Sequence, residues 1–206
     1  LRTPIAKLRF RLENISPLLG SNDVLVAQCH EDISHLDLLI DELLTYERLS
    51  TKPDIKFSPL DMVALVKNEV VEIANCFEKV SFRPQLKCSA SIQILGNQVL
   101  IKRLLSNVLT NAGKFAHSEV IVTICRQDSE LAVTVQDDGH GFDSQFIKDL
   151  FKPFYKGNTA RTSANGGYGL GLAICKQIVE QHKGKIAARN REQGGAELKI
   201  MLPLIS

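Results

Sequence analysis

Three short stretches of this chain carry residue types whose spacing suits chemistry on a phosphorylated ligand. The first is Asn107, Asn111 and Lys114. On a helix, steps of four and seven residues bring Asn111 and Lys114 to within about 40° of Asn107, so two amides and an ammonium share one edge. Amide oxygens are hard ligands suited to a magnesium ion that already carries phosphate, and a lysine beside them suits the phosphates, although the same trio would serve as a solvated polar face. The second stretch, Val133-Thr134-Val135-Gln136-Asp137-Asp138-Gly139-His140-Gly141, is a strand pattern running into a carboxylate and two glycines. Glycines there allow positive φ and the close approach of a flat ligand, and a carboxylate at a strand end can accept from an exocyclic amine; a plain hairpin turn would look alike. The third, Gly166-Gly167-Tyr168-Gly169-Leu170-Gly171-Leu172, opens directly into an amphipathic helix, where free backbone amides attract anions. It is not the dinucleotide pattern, which needs G-x-G-x-x-G after a strand. Nor is there a P-loop, because neither Gly113-Lys114 nor Gly184-Lys185 is followed by Ser or Thr. The H-R-D and D-F-G signatures of protein kinases are also absent.

The elements that must hold these residues divide near residue 52. Between Leu1 and Leu49 apolar residues recur in steps of three and four: Leu1, Ile5, Leu8, Leu12, Ile15, then Val26, Cys29, Ile33, Leu36, Ile40 and Leu43. Pro17, Gly20, Ser21 and Asn22 break the run, which predicts a helical hairpin over 1–52 with a narrow seam on each helix. The second helix, at roughly 23 to 49, would be about 40 Å long and the first only about 27 Å, so the first reads as cut short at its N-terminus. A narrow seam on two helices cannot bury itself, which predicts a homodimer through a four-helix bundle. Residues 53–206 read as mixed α/β. Ser58 and Pro59 signal the start of a helix with Val63, Val66, Val70, Ile73 and Phe77 on one face. Further helices are expected at Gln98 to Ala116 and Leu170 to His182. Strands are expected at Val80 to Leu86, Ile92 to Leu95, Val120 to Arg126, Leu131 to Gln136, Lys185 to Asn190 and Glu197 to Leu202. Strands and helices do not alternate strictly, so the expected class is α+β with a mixed or antiparallel sheet and helices on one face.

Composition narrows the function classes. In 206 residues, 25 Lys and Arg against 23 Asp and Glu leave a net charge of +2, too balanced for a backbone-driven nucleic-acid binder. No apolar run approaches the roughly 20 residues of a membrane span, so the chain as given reads as soluble. The five cysteines are scattered and never spaced C-x-x-C, which points to reduced, buried thiols rather than a disulfide framework or a zinc site.

The order of the motifs is more specific than any one of them. An asparagine helix, strand-Asp-x-Gly-x-Gly, Phe151-Lys152-Pro153-Phe154-Tyr155, Gly-x-Gly-Leu-Gly-Leu and a closing Gly194-Gly195-Ala196 resemble the N, G1, F and G2 boxes of the ATP-binding domain of bacterial sensor histidine kinases. Upstream, Leu1-Arg2-Thr3-Pro4 is similar to the end of that family's phosphoacceptor box, H-E-L-R-T-P. Leu8 to Glu13 and Glu42 to Tyr46 look most like its envelope-sensor branch. The resemblance covers essentially the whole chain and implies a dimerisation and phosphoacceptor hairpin followed by an α/β sandwich of the GHKL or Bergerat type. It also implies binding of ATP with Mg2+, transfer of the γ-phosphate to a histidine and then to the aspartate of a response regulator receiver domain, and no nucleic-acid partner. The chain would be the cytoplasmic portion of a bacterial inner-membrane protein, tied to the membrane only through a sensor region outside it.

By the same resemblance, Asn111 is the magnesium ligand with Asn107 as its helper. Lys114 contacts phosphate, Phe115 packs on adenine, and Asp137 accepts from the adenine amino group while Gly139 and Gly141 admit the base. Tyr155, Lys156 and Arg161 belong to a mobile lid, and Gly167, Gly169, Leu170 and Gly171 to the glycine loop. Leu170, Leu172 and Phe154 carry apolar side chains read as core. Related hydrolytic ATPases have a glutamate where Asn107 stands; an amide is no general base, which favours transfer over hydrolysis. Thr3 matches a position that helps orient water when the response regulator is dephosphorylated. The phosphorylated histidine and its acidic neighbour would lie just ahead of Leu1, and this chain contains neither. His30 and His35 lie in a different frame and read as structural or solvated. His140 stands where the family often has proline or a small residue, and Phe115 where tyrosine is frequent. A hydrolytic ATPase of the gyrase and chaperone type and a non-catalytic dimerisation and binding module are the alternatives.

Overall fold

The computed structural model describes residues 5, 8, 10, 12, 13, 23–51, 54–87, 91–155 and 168–205. The chain forms two compact units, Leu1–Arg48 and Leu49–Ser206. In the first, helix α1 (Asp23–Ser50) runs 28 residues without a glycine or proline, about 42 Å of helix. Val26 and Ile33 on its predicted seam are buried, Cys29, Ile40 and Leu43 half-buried, and Leu36 is 48% exposed. Of the helix expected before it, Ile5, Leu8, Phe10, Leu12 and Glu13 are helical; Thr3 and the turn at Pro17 to Asn22 lie outside the described residues.

The second unit is a two-layer α/β structure. Its sheet has five strands in the order β2-β4-β5-β7-β6: β2 (Ser81–Lys87), β4 (Glu119–Gln127), β5 (Glu130–Asp137), β6 (Lys185–Asn190) and β7 (Ala196–Pro203). Only β2 and β4 pair in parallel. A parallel pair needs a crossover, and here it carries β3 (Gln93–Gly96) and helix α3 (Gln98–Phe115). Alternate residues of the strands turn inward, Val120, Val122 and Ile124 on β4, Leu131, Val133 and Val135 on β5, and Leu198, Ile200 and Leu202 on β7. They meet helices α2 (Met62–Ala74), α3 and α4 (Gly171–Gln181), whose Val66, Leu104, Val108, Ile174 and Ile178 are fully buried. The outward face carries Thr123, Thr134, Gln136 and Lys199, as a sheet covered on one side should.

One predicted helix start moves. Ser58 and Pro59 do not open α2; they belong to strand β1 (Ser58–Asp61), paired antiparallel with β3. A two-stranded sheet is all edge, which tolerates proline. The cap is Asp61, whose Oδ1 accepts from the amides of Val63 and Ala64 at 3.0 and 3.1 Å.

A buried histidine locks α3 to α4. The amide of Asn97, the residue that caps α3, donates to His182 Nε2 at 3.0 Å, while the ring's Nδ1 lies 2.7 Å from the carbonyl of Ile178. An Nε2 that accepts carries no proton, so Nδ1 donates and the ring is neutral. Burial at 4% exposure pushes its pKa below the ordinary 6.5, outweighing the Ile178 hydrogen bond, which acts the other way. Between the folded and unfolded pKa values the unfolded chain binds more protons, so stability is full above about pH 6.5 and falls as pH drops below it. Thermal unfolding of wild type should lose stability from pH 7.5 to 5.5 by at most one proton's share, about 1.4 kcal/mol per pH unit. His182→Gln should be less stable at pH 7.5 and show a flatter pH dependence; an unchanged slope would mean that His182 is not the group that titrates.

Candidate functional site

The register of β4 and β5 brings the first two motifs together. Val120, near the start of β4, pairs with Asp137 at the end of β5, so the chain leaving α3 must pass the turn that follows Asp137. Asp138 ties the two. Its carboxylate accepts from the amides of His117 and Ser118 at 2.8 and 3.0 Å and from the Ser118 hydroxyl at 2.6 Å. Burial alone would raise its pKa, but the hydrogen bonds from Ser118, Glu119 and His117 outweigh that and hold the carboxyl far below the usual range. Contact is close enough to require glycine: a Cβ on Gly139 would lie 2.0 Å from the Phe115 carbonyl oxygen. His140 follows, with its ring 5.6 Å from that of Phe115 and at 71° to it.

Asp137 is buried at the centre of this arrangement. Its Oδ1 accepts from the amides of Gly139 at 2.9 Å and Ala196 at 3.1 Å. Its carbonyl accepts from Arg191 Nη1 at 2.6 Å, and a Cβ on Gly195 would collide with that same carbonyl. Oδ2 has no hydrogen-bond partner among the described residues, which leaves an acceptor of fixed direction for a ligand. Asn190 holds the next part of the turn as a strand neighbour would, its Oδ1 accepting from Phe142 N at 2.7 Å and its Nδ2 donating to Phe142 O at 2.8 Å. Gly141, at φ 75°, lies against the same side chain.

The asparagine helix also touches the glycine loop. Asn107 is half-buried and its Nδ2 donates to the carbonyl of Gly171, the first residue of α4, at 3.3 Å. Gly169, at φ 76°, packs on the backbone of Phe154 and Tyr155, where a Cβ would lie 2.6 Å from the Tyr155 carbonyl. The Tyr155 ring lies 6.1 Å from that of Phe146. Asn111, half-buried one turn beyond Asn107, makes no hydrogen bond among the described residues; Lys114 and Phe115 are exposed in the last turn of α3.

The Leu170 side chain is fully buried, as read from the sequence, so any part Leu170 takes in the glycine loop falls to its backbone. One expectation is corrected. Phe154, read as core, is 60% exposed with φ 62°, a left-handed conformation imposed where the chain turns against Gly169. Lys156, Arg161 and Gly167 lie outside the described residues, as does Thr3. Asp138, Asn190, Arg191 and His182 carry no motif of their own; the doubled Asp137-Asp138 was the one local signal that a second carboxylate worked there.

The donor set fits a magnesium nucleotide. Among the described residues, an Asp137 oxygen that accepts from no protein donor and a half-buried Asn111 that makes no hydrogen bond lie toward the C-terminal end of α3, where Gly139 lets the turn rest on the Phe115 carbonyl. No His, Cys, Asp and Glu cluster that could hold a metal by itself occurs among the described residues, and no described helix is long and apolar enough to cross a membrane.

Comparison with known proteins identifies the family of the chain. The sensor protein RstB of Escherichia coli K12 is 31% identical over 205 residues, covering 99% of this chain and 46% of RstB, so the chain spans about half the length of such curated relatives. The solved mycobacterial sensor histidine kinase MprB superposes with a TM-score of 0.64 at 25% identity over 71% of this chain and 98% of that one. ShkA, solved in complex with AMPPNP, superposes with a TM-score of 0.76 over the whole of this chain and 45% of its own, at 21% identity that speaks for the fold alone. Residues 96–206, from the start of α3 through the last strand, match the family model for histidine kinase-, DNA gyrase B- and HSP90-like ATPases, in which ATP and magnesium binding is general. The chain belongs to that ATPase family and carries the catalytic domain of the bacterial sensor histidine kinases within it.

Proposed function

We propose that this chain binds ATP with magnesium at the end of α3, and that the whole protein passes the γ-phosphate to a histidine and then to an aspartate of a response regulator. The observation that carries the reading is Asp137, buried, held through Oδ1 by two amides and left with Oδ2 to accept from an amino group of the base. Phe115 lies beside it as the adenine platform, with Lys114 toward the phosphates. Asn111 would hold magnesium, with Asn107 Oδ1 beside it, and the ion would supply charge neutralisation at the phosphates. Tyr155, Lys156 and Arg161, with Gly167, form the segment that would cover the bound nucleotide, and Thr3 serves the response regulator. Asn107 is the observation against a hydrolytic ATPase, since its Nδ2 is engaged by Gly171 and an amide takes no proton from water.

Ligand at about 100 times its dissociation constant should stabilise the fold by about 2.7 kcal/mol. In thermal-shift measurements Asp137→Asn should lose most of the adenine-dependent part, and Asn111→Ala should lose the magnesium dependence. Shifts equal to wild type in both variants would displace the site from these residues.

The half-exposed seam of α1 supports dimerisation through residues 1–52, with Ile33, Leu36, Ile40 and Leu43 covered by a second copy. Light scattering should find the full 206-residue chain dimeric and a chain beginning at Lys56 monomeric while still binding ATP. A dimer that survives without α1 would put the interface in the second unit.

Phosphoryl transfer needs a nucleophile held in line with the γ-phosphate, because positioning supplies most of the catalysis. His30 and His35 on α1 are half-buried and outside any acceptor box. Incubated with radiolabelled ATP, these 206 residues should release phosphate very slowly and show no acid-labile label. Label on either histidine would overturn that assignment, and rapid release of phosphate would favour the hydrolytic class.

A further inference from the structure

The turn after β5 touches Phe115 twice. Gly139 packs against its backbone, so closely that no larger residue fits beneath the Phe115 carbonyl. The very next residue, His140, sets its ring near-perpendicular to the phenyl ring, centroids 5.6 Å apart. That ring is itself pinned, because Nδ1 lies 2.6 Å from the carbonyl oxygen of Gly141. Gly141 is in turn fixed by φ 75° and by the Asn190 side chain that clamps Phe142. A chain of short contacts therefore runs from the end of β6, through the turn, to the ring of one aromatic residue at the last position of α3.

Phe115 needs such a support. It closes its helix, is 37% exposed, and has no other ring partner among the described residues. A phenyl ring in that position keeps rotamer freedom, and a ligand that stacks on it must first order it. His140 is exposed, so its ring is not there to fill the core.

We infer that His140 is a positioning residue for nucleotide binding: it holds the Phe115 ring in the orientation that receives the base, and it acts only through that ring. The inference rests on the nucleotide reading above and adds to it a residue that touches neither phosphate nor metal. Near-perpendicular aromatic contacts carry about 0.5–1.5 kcal/mol beyond the area they bury, which is a few-fold in affinity.

Calorimetric titration of the full chain with Mg-ADP tests it through a double-mutant cycle. His140→Ala should weaken binding about fivefold and lower the melting temperature of the ligand-free protein by no more than a few degrees. His140→Phe, which keeps a ring against Phe115, should recover most of the loss. In a Phe115→Leu background the His140→Ala change should cost nothing further. Wild-type affinity in His140→Ala, or the same fivefold loss with and without the Phe115 ring, overturns the inference while leaving the nucleotide site standing. Failure of the wild-type chain to bind Mg-ADP overturns the nucleotide reading itself and this inference with it.

Discussion

Two adjacent carboxylates at the end of β5 hold the site end of the sheet together by accepting from backbone amides of distant segments. Asp138 takes the amides that lead from α3 into β4, and Asp137 takes one amide from its own turn and one from the start of β7. Neighbouring side chains on a strand point to opposite faces, so consecutive aspartates can serve two different partners. The amides of Gly139 and Ala196 would otherwise be buried donors without an acceptor where the ladder provides none, while those of His117 and Ser118 lie at the surface and are held there. Hydrogen bonds to an ionised acceptor are the strong kind. Without them the C-terminus of α3, the glycine turn and the start of β7 would have separate reasons to move.

Glycine sets how near these segments come. Gly139 lets the turn rest on the Phe115 carbonyl, and Gly195 does the same at the carbonyl of Asp137. A methyl at either place would force backbone apart from backbone, which no side-chain rotation relieves. The result is an end of the sheet held by main-chain contacts around one buried carboxylate. On the proposed function, such an end would recognise a flat base by shape and one directional acceptor.

Much of this was legible in the sequence. The strand Lys185–Asn190 was read to the residue, because alternation over six residues ends in turn residues at both sides. The asparagine helix follows from spacing, and Gly171 opens α4 within one residue of the expected start. Ser58 and Pro59 misled because a cap signal is local, whereas their strand role depends on β3, some 35 residues later in the chain. His182, Asn190 and Arg191 were invisible for the same reason. Their partners stand 85, 48 and 54 residues away, and nothing in the flanking sequence marks a single side chain that closes such a gap. Phe154 shows the opposite error: an aromatic inside a motif reads as core, but its backbone turns left-handed against Gly169 and leaves the side chain 60% exposed.

The asparagine helix joins the two halves of the site by the choice of amides on its edge. Asn107 gives its Nδ2 to the carbonyl of Gly171, so the start of α4 is registered against α3, while its Oδ1 keeps lone pairs that, on the proposed function, would face a metal ion. A glutamate in that place could offer oxygen to the ion and could take a proton from water, but when ionised it has no N–H for the Gly171 carbonyl. The amide docks the start of α4 by donating. If the triphosphate binds as proposed, the same side chain, which cannot act as a base, would leave the γ-phosphate in place until a nucleophile is presented to it. One side chain choice would then serve both the packing of α4 and the restraint of hydrolysis.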